Sequence, residues 1–158
     1  MRILLDENVP KPLVEPLSWL LPGHVIEQVN RRFKGIKDEQ LYDKAKRKKF
    51  EMIISADGNQ LYDEGICKAI QRSGLHAVFV ETGNSSLGSL AAAAGALIHS
   101  IRDIIGKLEK AESQHVAIVQ MLHGDPGYSF HDPRRDAPSP MWPRKQHGEH
   151  KPSRKLKK

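Results

Sequence analysis

Carboxylates stand at the ends of two short apolar runs in this chain. Ile3-Leu4-Leu5 stops on Asp6-Glu7-Asn8, and Met52-Ile53-Ile54-Ser55-Ala56 stops on Asp57-Gly58-Asn59. If both runs are buried strands of one open α/β sheet, their acids emerge at its carboxyl edge, where such sheets place their sites. Carboxylates converging there are suited to a hard divalent cation, Mg²⁺ or Mn²⁺. A third acid, Asp38, opens a helical pattern just after a basic loop. Each acid also has a plainer reading. Asp, Asn and Gly favour turns after strands, and Asp before Glu-Gln-Leu is an ordinary helix cap. The case for a site rests on the three meeting at one edge, with Glu7 and Asn59 as further candidates for positioning ligands or water.

Bases surround the third acid. Arg31, Arg32, Lys34 and Lys37 begin a stretch, residues 31–49, that holds nine Lys/Arg against three acids. Such a density attracts a polyanion, although several of these lysines read as a solvated helix face. Acids that hold an ion, beside bases that position a phosphate backbone, are the parts of a metal-dependent nuclease.

The elements that must position these groups follow from the pattern. Strands are predicted near residues 2–5, 24–29, 51–56, 76–81 and 116–121, with helices over 10–21, 38–49, 60–73 and 87–111. Pro16 is expected to kink or shorten the first helix, and Ser85-Ser86 to cap the last. Alternating strands and helices predict a doubly wound α/β fold with a mainly parallel sheet and helices on both faces, a three-layer α/β/α domain. After Gly124 the pattern fails. Residues 125–158 contain six prolines and almost no aliphatics, which predicts a domain over 1–124 and a disordered tail over 125–158, with Met141-Trp142 as its docking point.

Composition narrows the class. The 158 residues allow one domain and a tail. No apolar stretch approaches the roughly 20 residues that span a bilayer, and no leader pattern opens the chain, so a cytoplasmic protein without membrane contact is expected. Cys67 is the only cysteine, which excludes an internal disulfide and a cysteine-based zinc site. The net charge of +6 is confined to residues 132–158, where nine Lys/Arg oppose three acids. Arg134 and Arg135 are its first bases and candidate RNA contacts.

Taken in order, Ile-Leu-Leu-Asp6-Glu7-Asn8-Val-Pro10, Gly23-His24-Val25, Gly35-x-x-Asp38-Glu39-x-Leu41 with Ala45, and Ile54-Ser55-Ala56-Asp57 resemble the small bacterial PIN-like family. Its members are similar to toxin ribonucleases of type II toxin–antitoxin modules. The match covers about residues 1–120, and the Leu-Asp-Glu-Asn-Val-Pro opening is its most specific part. The resemblance implies a PIN-like fold, Mg²⁺ or Mn²⁺ held by Asp6, Asp38 and Asp57, cleavage of RNA, a cognate antitoxin partner and a homodimer. One departure matters. The family continues past the third acid as Asp-x-Asp-Phe, and here those positions are Asn59 and Gln60. An amide brings a carbonyl oxygen but no charge, which points to a weakened second-ion site.

Two other classes compete. A catalytically silent RNA- or partner-binding module would use the basic tail, with Trp142 stacking on a base. A receiver-like phospho-acceptor would use Asp6, Glu7 and Asp57, with Thr82 as its switch hydroxyl. The receiver needs a lysine after its fifth strand, and Leu122-His123-Gly124-Asp125 supplies none.

Overall fold

The computed structural model describes residues 1–30, 33 and 35–144. Among these residues six strands form one sheet: β1 (Arg2–Leu5), β2 (Val25–Gln28), β3 (Met52–Ser55), β4 (His76–Val80), β5 (Val116–Leu122) and β6 (Asp125–His131). Their order is β2-β1-β3-β4-β5-β6. The first five are parallel, and β6 returns antiparallel along β5. Four α-helices accompany them: α1 (Val14–Leu20), α2 (Asp38–Arg47), α3 (Glu64–Ser73) and α4 (Leu87–Leu108). Short 3-10 turns at Lys11–Leu13 and Gly58–Tyr62 precede α1 and α3.

Side-chain alternation along the strands divides the core into two layers. Ile3, Leu5, Met52, Ile54, Val78 and Val80 face one side and pack with Leu17 of α1 and with Leu97, Ile101 and Ile104 of α4. Leu4, Ile53, Ala77 and Phe79 face the other, against Leu41, Tyr42 and Ala45 of α2 and Cys67, Ala69 and Ile70 of α3. Helices therefore cover both faces, as the alternating pattern predicts. Because β1 lies between β2 and β3, the winding reverses between β1 and β3, and their carboxyl ends flank the switch point.

Pro16 stands in an α-helix shorter than the predicted span, Val14–Leu20 against 10–21. It is the third residue of that helix, where its missing N–H has no carbonyl to reach. The 3-10 turn absorbs the irregular entry instead.

The larger correction lies after Gly124. The domain does not end there: β6 extends the sheet, and Ser139, Trp142 and Pro143 pack against the Leu61 turn and α3. His123 and Gly124 both have positive φ (52° and 90°), the backbone of a two-residue hairpin turn. Tyr128 and Phe130 alternate onto the α4 side, where they join the core at partial exposure. The Tyr128 hydroxyl sits between Lys107 and Asp103 of α4. Pro126 is tolerated because β6 is an edge strand. Sparse aliphatics hide such a strand in the sequence; two aromatics on a tight turn suffice for an edge. Trp142 is 4% exposed in the α2–α3 core layer, as its prediction as the docking point requires. Arg31, Arg32 and Lys34, and the chain from 145 onward, lie outside the described residues. No helix among the described residues is long and apolar enough to cross a membrane.

Candidate functional site

Asp6 leaves β1 at the switch point, where its backbone N–H still pairs with the Ile54 carbonyl of β3 at 2.8 Å. Its carboxylate is buried, 3% exposed, and its two oxygens have different surroundings. Oδ2 accepts from Ser55 Oγ at 2.9 Å, Gln60 Nε2 at 3.0 Å and Asn8 Nδ2 at 3.2 Å. Oδ1 accepts from the Glu7 amide at 2.7 Å. Four donors meet most of the acceptor capacity of a carboxylate, and the crowded oxygen is Oδ2. Oδ1 is the side of Asp6 with acceptor capacity left, and the other three side chains fix its direction.

The donors are themselves held. Gln60 Oε1 accepts from the buried Tyr42 hydroxyl at 2.7 Å. Burial above all, then the charges of Asp6 and Asp38, keeps that hydroxyl protonated far above its ordinary range, so Tyr42 acts as a donor throughout. This orients the Gln60 amide with its nitrogen toward Asp6. Asn8 Oδ1 accepts from the Ala56 amide at 2.8 Å, turning its own nitrogen toward Asp6 in the same way. Tyr42, Gln60, Asp6, Ser55 and Asn8 thus form one chain of hydrogen bonds across β1, β3 and α2.

Asp57 follows β3 on the neighbouring strand and starts the Gly58–Tyr62 turn, its Oδ1 accepting from the Asn59 amide at 3.1 Å. Asp38 is the first residue of α2 and not its cap: the cap position is Lys37, with no side-chain hydrogen bond. Among the described residues Asp38 has no hydrogen-bond or ion-pair partner. Partial burial, then the charges of Asp6, Asp57, Glu7 and Asp63, hold its carboxyl above the usual carboxylate range. The three predicted acids therefore share one electrostatic neighbourhood at the carboxyl edge of β1 and β3. Glu39 lies beside Asp63 at the start of α3, its carboxylate filling the space a Cβ on Gly65 would need.

The donor chemistry, hard carboxylate oxygens with Asp6 anchored from behind, fits a divalent cation. The enclosure is looser than the chemistry. No three His, Cys, Asp or Glu side chains among the described residues converge closely enough to hold an ion as they stand. Closing on one requires the Asp38 and Asp57 carboxylates to draw toward Asp6.

A cleft of about 660 Å³ opens beside Asp57, over the ends of β3, β4 and β5. Asn8, Asp57, Asn59, Tyr62, Glu81 and Gln120 are among its lining residues. Glu81 approaches the Asp57 turn closely, since a Cβ on Gly58 would lie 3.9 Å from its side chain.

The expected bases are not all brought to this edge. Lys37 is, immediately before Asp38. Lys44 and Lys48 lie over the Phe33 ring at 4.8 and 5.8 Å, and Arg72 pairs with Asp43 at 2.8 Å. Arg134 and Arg135 follow β6, which runs back to the amino edge of the parallel strands, since His131 pairs with Val116 and Asp125 with Leu122. They stand at the opposite end of the sheet from the acids. Arg134 is moreover held by Asp132 at 2.8 Å.

Sequence reasoning finds the three acids and misses what fixes them. Tyr42 and Gln60 look like a helix-face aromatic and a departure from a motif, and only the crossing of α2 over the Gly58–Tyr62 turn joins them. Tyr62 and Glu81 carry no motif at all. Comparison with protein-family models, with characterised proteins and with solved structures yields no significant match.

Proposed function

We propose that the protein is a divalent-metal-dependent endoribonuclease of the PIN-like type, acting as the toxin of a toxin–antitoxin pair with a cognate antitoxin protein as partner. The observation that carries the reading is the gathering of Asp6, Asp38 and Asp57 in one electrostatic neighbourhood at the carboxyl edge of β1 and β3, with Asp38 unpartnered among the described residues. A carboxyl whose proton affinity is raised by burial and by neighbouring carboxylates is poised for a cation from solution. Asp6, Asp38 and Asp57 would hold Mg²⁺ or Mn²⁺, which supplies Lewis acidity and an activated water for phosphodiester hydrolysis. The chain's own residues do the positioning. Ser55, Gln60 and Asn8 fix the Asp6 carboxylate through Oδ2, and Lys37 offers a charge to the RNA backbone. The antitoxin and the toxin role rest on the family resemblance alone.

The test is incubation with single-stranded RNA and Mg²⁺ or Mn²⁺, with EDTA, Asp57→Asn and Asp6→Asn as controls and thermal melts confirming that the variants fold. Cleavage is expected only with the metal and the wild-type acids; cleavage indifferent to EDTA overturns the mechanism. A second reading, RNA binding without cleavage, is favoured by Asn59, exposed beside Asp57 where the family has an acid. Salt-sensitive RNA binding with no cleavage in either metal selects it.

A further inference from the structure

We infer that the cleft beside Asp57 is a nucleobase subsite, in which the Tyr62 ring stacks on a base and the surrounding acceptors favour bases with an exocyclic amino group. This rests on the nucleic-acid reading above and goes beyond it by stating which part of the RNA enters and with what preference.

Tyr62 is 66% exposed although it lines a concave site. A ring of that size left open to water is a stacking surface, and stacking tolerates every base because each has a π-face. The ring stands on a fixed support. Tyr62 ends the Gly58–Tyr62 turn, whose neighbouring Leu61 carbonyl accepts from Ser139 Oγ and from Cys67 Sγ at 3.3 Å, while Gln60 is buried against Asp6 and Tyr42. A held platform loses little freedom when a base lands on it. At about 660 Å³ the cleft lies within the range of small-ligand sites.

The lining decides which part of a nucleotide enters. It includes two carboxylates, Asp57 and Glu81, and no Lys, Arg or His among the described residues. Without a bound ion a phosphate is repelled there; a neutral base is not. Asn59, Gln120 and Thr82 can donate or accept, but the charged groups only accept. Adenine, cytosine and guanine each carry an amino donor, and carboxylates pair with such groups. Uracil has none.

The experiment is fluorescence anisotropy with end-labelled oligo(A), oligo(C) and oligo(U) in EDTA and low salt, where cleavage cannot contribute. Oligo(A) and oligo(C) are expected to bind more tightly than oligo(U). Tyr62→Ala should weaken binding of oligo(A) about tenfold, and Tyr62→Phe, which keeps the ring, should restore it. Glu81→Gln should narrow the preference over oligo(U). Undiminished binding by Tyr62→Ala overturns the platform, and equal or tighter binding of oligo(U) overturns the preference. Both results leave the ribonuclease reading standing, because metal-dependent cleavage is scored separately. Failure of the wild-type protein to bind any of the three overturns the subsite, and the cleavage assay then decides the parent reading independently.

Discussion

Asp6 and Asp38 are both acids at one sheet edge, but their surroundings assign them different burdens. Asp6 is buried with four donors, so its removal strands the groups that face it. Asp38 has repulsion and no partner among the described residues. A carboxyl held above its ordinary range binds its proton more tightly folded than unfolded. The folded state therefore loses stability as pH rises from about 4 through the raised value, and above that value the whole cost is present. Asp38→Asn should accordingly melt higher than wild type at pH 7, by less than about 1 kcal/mol because the group is solvent-screened, and the gain should vanish below about pH 4. Denaturant titrations at the two pH values check this. Millimolar Mn²⁺ should raise the wild-type melting temperature and leave Asp38→Asn unmoved, as ion binding to the folded state requires. Tyr42→Phe tests the other side of the site. It leaves the buried Gln60 Oε1 without its donor and should cost about 1–3 kcal/mol, with a fall in any metal-dependent activity as Gln60 loses its orientation. At this scale the acids are legible in the sequence because an apolar run ending in Asp marks a strand edge. Tyr42 and Gln60 are not, since their contact joins positions whose proximity depends on the packing of α2.

Elements are legible where their period is strong. The five parallel strands and four helices fall close to the predicted spans, because Val/Ile/Leu runs and helical stripes are local signals. The hairpin at His123-Gly124 is not, since a histidine with positive φ lacks the Asn-Gly signature. Pro and Arg dominate residues 132–144, the composition of a tail, yet Trp142 joins the core beside α3 and Gln71 Nε2 donates to the Pro143 carbonyl at 3.3 Å. Trp142→Ala should therefore destabilise by about 3–5 kcal/mol. Trp142→Phe should cost much less, because the buried Trp142 Nε1 has no hydrogen-bond partner among the described residues and its loss relieves an unpaired donor. Urea melts of the two variants compare them directly. The contact between β4 and β5 carries its own pH dependence. His76 Nδ1 accepts from the His115 amide at 3.1 Å, and burial, then the neighbouring His115, push the His76 pKa down from 6.5. The unfolded chain then binds the proton more readily, so stability should fall as pH drops below about 6.5. Melting temperatures across pH 7.5 to 5 should show a steeper decline for wild type than for His76→Gln.

At the scale of the whole molecule, the predicted acids and the first bases after residue 131 stand at different ends of the sheet. Acids gather at the carboxyl edge, and Arg134 and Arg135 follow β6 to the amino edge. Residues 145–158 hold six Lys/Arg and one Glu, most of the net +6. Deleting 132–158 would thus remove charge and core together, whereas a chain ending at Arg144 keeps Trp142 and loses mainly charge. The shorter deletion should leave the melting temperature unchanged. If those bases bind RNA, it should also weaken binding and flatten its salt dependence, by roughly 0.7 in the log–log slope for each phosphate no longer neutralised. Affinity that does not change assigns the terminal bases no part in binding. The sequence places the excess charge after residue 131, and only the antiparallel return of β6 shows that Arg134 and Arg135, beside Asp132 and Asp136, start from the amino edge.

The bond from Ser139 to the Leu61 carbonyl spans 78 positions, and it has a consequence in time. Synthesis is directional and delivers the amino-terminal strands first. The strands bearing Asp6 and Asp57 are complete long before the ribosome reaches Ser139 and Trp142. The turn that presents Gln60 and Tyr62 stays unfastened until the segment 78 positions further along has emerged. A chain built this way forms the strands bearing Asp6 and Asp57 early and secures the Gly58–Tyr62 turn later.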